Sequence, residues 1–413
     1  MTVVRSASVE HRRVMCSFVC RMIVAGAGLL CATALSIFQP SPVRADTSSH
    51  CALPQRPGDR VGTAQIFAYY LDDRGVLVGR RDIIWGDEGP KLPGIYSMKY
   101  MTVDRDLDAK HNVAWYEAQG RSDWVMRKCD GSPATEFDDS NAPVDITRPE
   151  IREFLYAQAV TPVVKSKRFD AMAVDNIFST NTFGRCGNVE GGKLKRRYSG
   201  THVDPTFAND VADWLRWLGA RLHADGLCMA GNLWYEEQDI EGFRSLAKLL
   251  DIVVDEGGFT RNCKANVVDG HWLPRMKAMR DVAREQPLIV IDYVCPSAAD
   301  MTPAALDWSL ANFLLLRGES TYLAIRPDKS EQGPLYDPPQ LHVVTGRPMG
   351  DFKQEQGVFY RRFEKAIALV NPSSVLRAEF DLAPDDRWRD LRGVSYAGKV
   401  KLAPGSGLVL VAP

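Results

Sequence analysis

The chain alternates short apolar runs with longer amphipathic segments. The apolar runs are bounded by Gly, Pro or polar turn residues, which favours strands over helices. The predicted strands are Ala64–Leu71, Ile95–Met101, Val113–Ala118, Phe169–Asn176, Gly226–Leu233, Leu250–Glu256, Leu288–Val294 and Thr321–Ile325. The later runs are almost continuously apolar, which is typical of strands that are buried on both faces.

The segments between these runs predict helices. Phe207–Asp225 repeats apolar residues at helical spacing, so one stripe of its surface is apolar. The other predicted helices are Ile151–Lys165, Ile240–Leu250, His271–Glu285 and Pro303–Leu315. Strands that alternate with helices predict a parallel sheet covered by helices. Because the sequence has no Gly-rich phosphate loop, we expect an α/β (β/α)8 TIM barrel and not an open doubly wound sheet.

The last part of the chain has a different pattern. Phe359–Asn371 predicts a helix that runs into a strand, and short β-rich runs follow, broken by Pro, Asp and Gly. This pattern predicts a small C-terminal antiparallel β-domain. We therefore expect the barrel to occupy residues 46–350 and the β-domain residues 351–413.

The first 45 residues predict a signal peptide. Arginines precede the apolar run Met22–Phe38, and Val43–Ala45 resembles a cleavage site. A retained membrane anchor is the alternative, but the run is short and no basic cluster follows it. We expect cleavage, no stable membrane anchor, and a secreted or periplasmic protein.

Cysteine content and charge narrow the class of protein. An even number of cysteines in an exported chain predicts up to three disulfides, whose pairing stays open. These cysteines are Cys51, Cys129, Cys186, Cys228, Cys263 and Cys295. None has zinc-site spacing, so no structural zinc is expected. The net charge is −1, and the one basic patch, Lys193–Arg197, is expected to be solvated, so nucleic acid is not an expected partner.

Polar residues close several of the predicted strands. In a TIM barrel the active site gathers at the C-terminal ends of the strands. The candidates at these ends are Asp175, Asn176, Asn232, Trp234, Asp255, Glu256, Phe259, Asp292 and Tyr293. A simpler interpretation is that Asp-Asn is a turn former and Asp-Glu-Gly-Gly an ordinary loop.

Strand alternation selects two carboxylates from this set. Asp175 shares a strand face with Ala171 and Ala173, and Glu256 shares one with Ile252 and Val254, which favours Glu256 over Asp255. Glycoside hydrolysis needs two carboxyl groups roughly 5–9.5 Å apart, one of which donates a proton. We expect Asp175 and Glu256 to be the catalytic pair, with Asp255 available to raise the pKa of the acid.

The other candidates are expected to bind substrate. Asn176, Asn232, Asp255, Asp292 and Tyr293 offer polar groups to a sugar. Trp234 and Phe259 offer rings for stacking, although an aromatic residue at a strand end is about as often a packing residue.

The chain resembles bacterial glycoside hydrolases of the glycosyl hydrolase-like barrel group and, more distantly, polygalactosaminidase and α-galactosidase barrels. The segments that carry the resemblance are Asp145–Glu150 (DITRPE), Phe169–Asn176 (FDAMAVDN), Asn232–Trp234 (NLW), Asp251–Gly257 (DIVVDEG) and Val370–Ser373 (VNPS). It implies that Asp175 is the nucleophile or base and that Glu256 is the acid. The chain departs from the pattern at Ala171, where Gly is usual, and at Arg148, where Asn is frequent.

The function that we expect is a secreted glycoside hydrolase that cleaves a poly- or oligosaccharide by a two-carboxylate mechanism, acts as a monomer and needs no cofactor or metal. A non-catalytic carbohydrate-binding barrel is the alternative. Other hydrolase classes are disfavoured because the sequence has no G-x-S-x-G elbow and no H-x-x-x-H pair. Convergence of Asp175 and Glu256 on one cleft would favour the enzyme. The sugar, its linkage and the stereochemistry stay open.

Overall fold

The computed structural model describes residues 51, 53, 59–108, 110–135, 142–261, 265–295, 301–327 and 334–413. The predicted signal peptide lies outside these residues. Among the residues described, no helix is both long and apolar enough to cross a bilayer.

Eight parallel strands form the central sheet, and they follow one another in chain order. The strands are β1 (Ala64–Ile66), β2 (Ile83–Trp85), β3 (Tyr96–Thr102), β4 (Ala171–Ile177), β5 (Cys228–Leu233), β6 (Ile252–Asp255), β7 (Leu288–Cys295) and β8 (Thr321–Pro327). Thr63, just before β1, pairs with Leu323 of β8, so the sheet closes on itself. The fold is therefore a TIM barrel, as predicted.

Alternation along the strands separates two apolar layers. Small and aliphatic side chains such as Ala173, Ala230 and Val254 fill the barrel interior. Their strand neighbours, such as Val174 and Val253, point outwards and pack under the helices. Each strand thus presents its even- or odd-numbered residues to the interior, and this parity decides which strand-end side chains meet at the barrel mouth.

The described residues form seven α-helices. They are α1 (Val113–Ala118), α2 (Pro149–Leu155), α3 (Thr161–Ser166), α4 (Pro205–Ala224), α5 (Ile240–Ala247), α6 (Trp272–Glu285) and α7 (Pro303–Leu316). A π-helical turn, Tyr156–Val160, joins α2 to α3. Asp204 caps α4 by accepting hydrogen bonds from the backbone N–H groups of Thr206 and Phe207.

The loops after β3 and β4 carry a small sheet at the C-terminal end of the barrel. Its three strands are Arg127–Lys128, Arg185–Glu190 and Lys193–Arg196. A disulfide joins Cys129, which directly follows the first strand, to Cys186 of the central strand, and so links the two loops. A second short hairpin, Thr260–Arg261 with Ala265–Asn266, follows β6.

A second disulfide joins Cys51 to Cys228 at the start of β5. Up to three disulfides were expected, and Cys263 and Cys295 are the two cysteines that remain. Cys263 and the side chain of Cys295 lie outside the described part of the chain.

Antiparallel sheets make up the C-terminal part of the chain. Their strands are β9 (Lys353–Glu355), β10 (Val358–Arg362), β11 (Ala366–Asn371), β12 (Ala378–Asp381), β13 (Trp388–Asp390), β14 (Ser395–Tyr396), β15 (Lys399–Leu402) and β16 (Ser406–Val411). Six of them form one sheet in the order β9-β10-β11-β16-β13-β14, and β12 pairs with β15. This is the small antiparallel β-domain that the sequence predicts.

Three predicted elements differ from the structure. Val113–Ala118 is helix α1 and not a strand, because the Asn112 side chain caps it by accepting from the Trp115 N–H. Phe359–Asn371 contains no helix, because β10 pairs with β11 through an antiparallel register. The run at Ala64 ends early, because Phe67 adopts a left-handed conformation (φ 46°) that breaks the strand. Strand β2 was not predicted.

Candidate active site

Four inward-facing side chains meet where the strands β3 to β6 end. Tyr100, Asp175, Asn232 and Glu256 continue the same inward parity as the apolar residues below them. The strands are adjacent in the barrel, with Thr102 opposite Asp175 and Asn232 opposite Val254. The predicted pair, Asp175 and Glu256, therefore shares one face of the barrel wall.

The Asn232 amide nitrogen links the two carboxylates. It donates to Asp175 Oδ1 at 2.7 Å and to Glu256 Oε2 at 2.5 Å. Because both bonds start from one nitrogen, these two oxygens can be at most about 5.2 Å apart. Asn232 is buried, whereas both carboxylates are half-buried, so the pair is open to the barrel mouth.

Asp175 accepts three hydrogen bonds. The Tyr100 hydroxyl donates to Oδ2 at 2.6 Å, and the Asn176 backbone N–H joins Asn232 at Oδ1, at 2.8 Å. Burial, followed by the adjacent Asp175 carboxylate, raises the pKa of the Tyr100 hydroxyl well above its usual range. The Tyr100 hydroxyl therefore keeps its proton throughout the pH range in which proteins work. It donates a hydrogen bond to the Asp175 carboxylate over that range.

A β-bulge aims Asp175. The pairing of β4 with β5 shifts between Val174 and Ile177, so two residues of β4 lie opposite one of β5. Asn176 has a left-handed backbone (φ 63°), which Asn adopts more readily than most residues. This geometry directs the Asn176 N–H to the Asp175 carboxylate. The Asn176 side chain instead lines a small internal cavity, together with Asp104 and Arg185.

Three predicted site residues lie outside the barrel mouth. Asp255 has the outward parity of β6, is buried, and pairs with Arg275 of α6. Asp292 is fully buried and accepts from the backbone N–H groups of Phe259 and Thr260. Phe259 is buried in the outer core. None of the three faces the carboxylate pair, so the structure does not bring them to the site. Asp255 was expected to raise the pKa of Glu256, but its side chain points away from the barrel interior and pairs with Arg275.

Two further candidates have different outcomes. Trp234 is 43% exposed and packs against Phe178, with ring centroids 6.0 Å apart, so a ring surface is available at the mouth. The rim loops around it are joined by Glu236, which accepts from Thr180 at 2.9 Å and bonds His202 at 2.5 Å. Tyr293 lies in β7, but its side chain is outside the described part of the chain.

Sequence reasoning did not identify the aromatic wall that Tyr100 forms with Phe67, Tyr69 and Tyr70. Tyr100 packs edge-to-face against Phe67, with centroids 5.6 Å apart, and Phe67 in turn contacts Tyr69 and Tyr70. The signal was present: Tyr100 has the same parity as Met98, which is two residues earlier in an inward-facing run. The Phe67–Tyr70 cluster was hidden because the run at Ala64 was predicted as one uninterrupted strand.

One group of potential metal ligands occurs among the described residues, away from the carboxylate pair. It consists of Cys51, His223 and Asp251. The Cys51 sulfur is in the disulfide with Cys228, at the end of the barrel where β5 begins. His223 bonds Asp251, which also accepts from the Met229 N–H. A disulfide sulfur is not a thiolate ligand, so these residues do not fit a metal site.

Solved structures with similar folds include several glycoside hydrolases. The maltogenic α-amylase AmyB from Thermotoga neapolitana is 11% identical, with 86% of this chain and 99% of that chain covered and a TM-score of 0.45. Amy13B from Eubacterium rectale is 12% identical over 87% and 97%, with a TM-score of 0.49. The glycoside hydrolase domain of PelA from Pseudomonas aeruginosa is 14% identical over 65% and 96%, with a TM-score of 0.41.

Sequence comparison assigns the chain to a family. No curated protein matches it. Residues 95–367, which are more than half of the chain and include β3 to β8 and the four residues of the site, match a glycoside hydrolase family. This match confirms the resemblance to glycosyl hydrolase-like barrels, and the chain belongs to the family described as hypothetical glycosyl hydrolase family 15.

Proposed function

We propose that this protein is a retaining glycoside hydrolase in which Asp175 is the nucleophile and Glu256 the acid–base residue. The observation that carries the proposal is the Asn232 nitrogen, which bonds both carboxylates. A barrel that only binds carbohydrate would not need two carboxylates held together at its mouth, so this convergence favours the enzyme over the binding protein.

The distance between the two carboxylates supports a mechanism that retains the configuration of the anomeric carbon. Retaining enzymes hold their two carboxyl groups about 5–5.5 Å apart, whereas inverting enzymes need about 6.5–9.5 Å to leave room for a water. The upper limit of about 5.2 Å between Asp175 Oδ1 and Glu256 Oε2 fits the first class.

The hydrogen bonds support the assignment of roles. Three donors around Asp175 stabilise its anion, which suits a nucleophile. In the first step an Asp175 oxygen bonds the anomeric carbon, the glycosidic bond breaks, and Glu256 gives its proton to the leaving oxygen. In the second step Glu256 takes a proton from water, the water oxygen bonds the anomeric carbon, and the bond between that carbon and Asp175 breaks to release the Asp175 carboxylate.

The substrate in this proposal is a poly- or oligosaccharide. Trp234 would stack a sugar ring at one side of the mouth, and the Phe67–Tyr100 wall would face it from the other. We further propose that the protein is exported, is cleaved after Ala45 and acts as a monomer. The two disulfides support export, because such bridges persist in oxidising compartments.

The test is release of reducing ends from a panel of bacterial and plant polysaccharides. Asp175→Asn and Glu256→Gln are each expected to lower turnover by about a thousandfold or more. The matched controls are Asp213→Asn and Glu241→Gln, which change exposed carboxylates on α4 and α5.

Loss of turnover in both site variants, with folding and both controls intact, would support the proposal. Turnover that survives either site variant would refute the assigned pair. Glycan binding by the wild type without any cleavage would favour the carbohydrate-binding barrel.

A further inference from the structure

The two oxygens of Asp175 have different environments. Oδ1 accepts from the Asn232 amide at 2.7 Å and from the Asn176 N–H at 2.8 Å. Oδ2 accepts from the Tyr100 hydroxyl at 2.6 Å. A carboxylate offers about two acceptor positions on each oxygen. Both positions on Oδ1 are therefore used, whereas Oδ2 keeps one free.

We propose that Oδ2 is the atom of Asp175 that attacks the sugar, and that Tyr100 is the positioning residue that orients it. This inference rests on the proposed role of Asp175 as nucleophile. The lone pair that forms the new bond must not be engaged by a donor, and Oδ2 has such a lone pair. The hydroxyl of Tyr100 occupies the other position on Oδ2 and so fixes the direction of the free one.

The same arrangement accounts for the covalent step. When the bond between Oδ2 and the anomeric carbon forms, the glycosidic bond breaks and Glu256 protonates the leaving oxygen. Oδ1 then becomes the carbonyl oxygen of the ester. It keeps its two donors, the Asn232 amide and the Asn176 N–H, so these groups stabilise the intermediate as well as the free carboxylate.

Packing holds the Tyr100 ring in place. Its ring meets Phe67 at an interplanar angle of 66°. Phe67 lies directly over Gly86, where an added Cβ would be 2.5 Å from the Phe67 ring. The absence of a side chain at Gly86 therefore lets Phe67 approach, and Phe67 limits the rotation of Tyr100. The hydroxyl that touches Asp175 is preorganised in this way.

Tyr100→Phe tests the inference, because it removes the hydroxyl and keeps the ring. Tyr156→Phe is the matched control, since the Tyr156 hydroxyl also donates to a carboxylate, Asp225, on the helical layer. On the glycan that the panel identifies, Tyr100→Phe is expected to lower kcat about ten- to a hundredfold with little change in KM. The acid limb of its pH profile is expected to move to higher pH, because the Asp175 anion loses a hydrogen-bond donor. The control is expected to change neither.

A second measurement needs no substrate. A water-soluble carbodiimide modifies protonated carboxyl groups, and mass spectrometry reports the labelling of Asp175 as a function of pH. In Tyr100→Phe the labelling of Asp175 is expected to persist to higher pH than in the wild type and in Tyr156→Phe. Phe67→Leu, which keeps the hydroxyl but loosens the ring, is expected to give a smaller shift in the same direction.

These outcomes separate the two proposals. A labelling profile that Tyr100→Phe leaves unchanged would overturn the role of Tyr100, whatever the enzyme cleaves. A kcat and pH profile equal to those of the wild type would overturn it as well. If the protein cleaves no glycan but Tyr100→Phe still shifts the labelling of Asp175, the proposed function is refuted. The contact between Tyr100 and Asp175 would then still control the protonation of that carboxylate.

Discussion

Asp255 and Glu256 are neighbours in the chain, yet their side chains lie on opposite sides of the barrel wall. Glu256 faces inwards and accepts from Asn232, whereas Asp255 faces outwards and forms a buried ion pair with Arg275. Strand alternation thus gives two adjacent acids different environments, so their substitution is expected to have different effects.

The outward acid is predicted to serve stability alone. Asp255→Asn leaves the Arg275 guanidinium buried beside a neutral amide, and loss of one partner of a buried pair costs about 3–5 kcal/mol. We expect a lower free energy of unfolding by an amount of that order, measured by urea denaturation. The pH profile of the folded enzyme should match that of the wild type. A displaced profile would show that Asp255 acts on the site.

Azide should reveal the two roles of the pair. With an activated aryl glycoside, Glu256→Ala is expected to yield a glycosyl azide of retained configuration, because azide replaces water in the second step. Asp175→Ala is expected to yield the inverted azide, because azide replaces the nucleophile. NMR of the products distinguishes the anomers. A wild-type first product of inverted configuration would contradict the retaining mechanism.

Asn232 should be indispensable although it is neither acid nor base. Asn232→Ala removes the donor that both carboxylates share, and we expect kcat/KM to fall about a hundredfold or more. Asn232→Asp replaces the shared donor by a third carboxyl group between the pair and should be worse still. Steady-state kinetics of both variants checks this order. An Asp variant as active as the wild type would show that the bridge is dispensable.

Asp292 is predicted to make stability depend on pH. Burial raises its pKa, even though Phe259 and Thr260 donate hydrogen bonds to it. The folded state thus holds this proton more tightly than the unfolded chain. Its contribution to stability is complete below the unfolded pKa of about 3.9 and is lost as the pH rises through the folded pKa.

Asp292→Asn is neutral at every pH and tests this dependence. The free energy of unfolding of the wild type, measured relative to this variant, should therefore fall as the pH rises from about 4. Urea titrations at a series of pH values provide the comparison. Parallel curves for the two proteins would contradict the raised pKa.

The barrel and the ends of its strands could be predicted because the pattern of apolar and polar residues in the sequence indicates them. The runs that begin at Phe169 and Leu250 are apolar, and every second residue lies on the same face of the strand. This alternation places Asp175 and Glu256 on the inward-facing side. The order of the strands followed from the regular succession of strand and helix.

The remaining site residues depend on features that a local pattern does not show. The bulge at Asn176 arises from pairing between β4 and β5, which are far apart in sequence. Arg275 contacts Asp255 from a helix 20 residues later in the chain. Because the sequence does not show this partner, Asp255 was predicted as a site residue. Phe67 ends β1 through a left-handed conformation that its residue type does not predict.

Beyond its first turn, helix α7 has no face for solvent, and this determines how the protein can be divided. Every residue from Leu306 to Leu316 is buried, and strands β11 and β16 cover the side that the barrel leaves open. Gly407 lets β16 approach within contact of Ala311, and Arg361 of β10 caps the helix by donating to the carbonyl oxygens of Leu315 and Arg317. A barrel truncated after β8 would expose an apolar helix. We therefore expect the last sixty residues to fold together with the barrel, and the two regions to melt in a single cooperative transition.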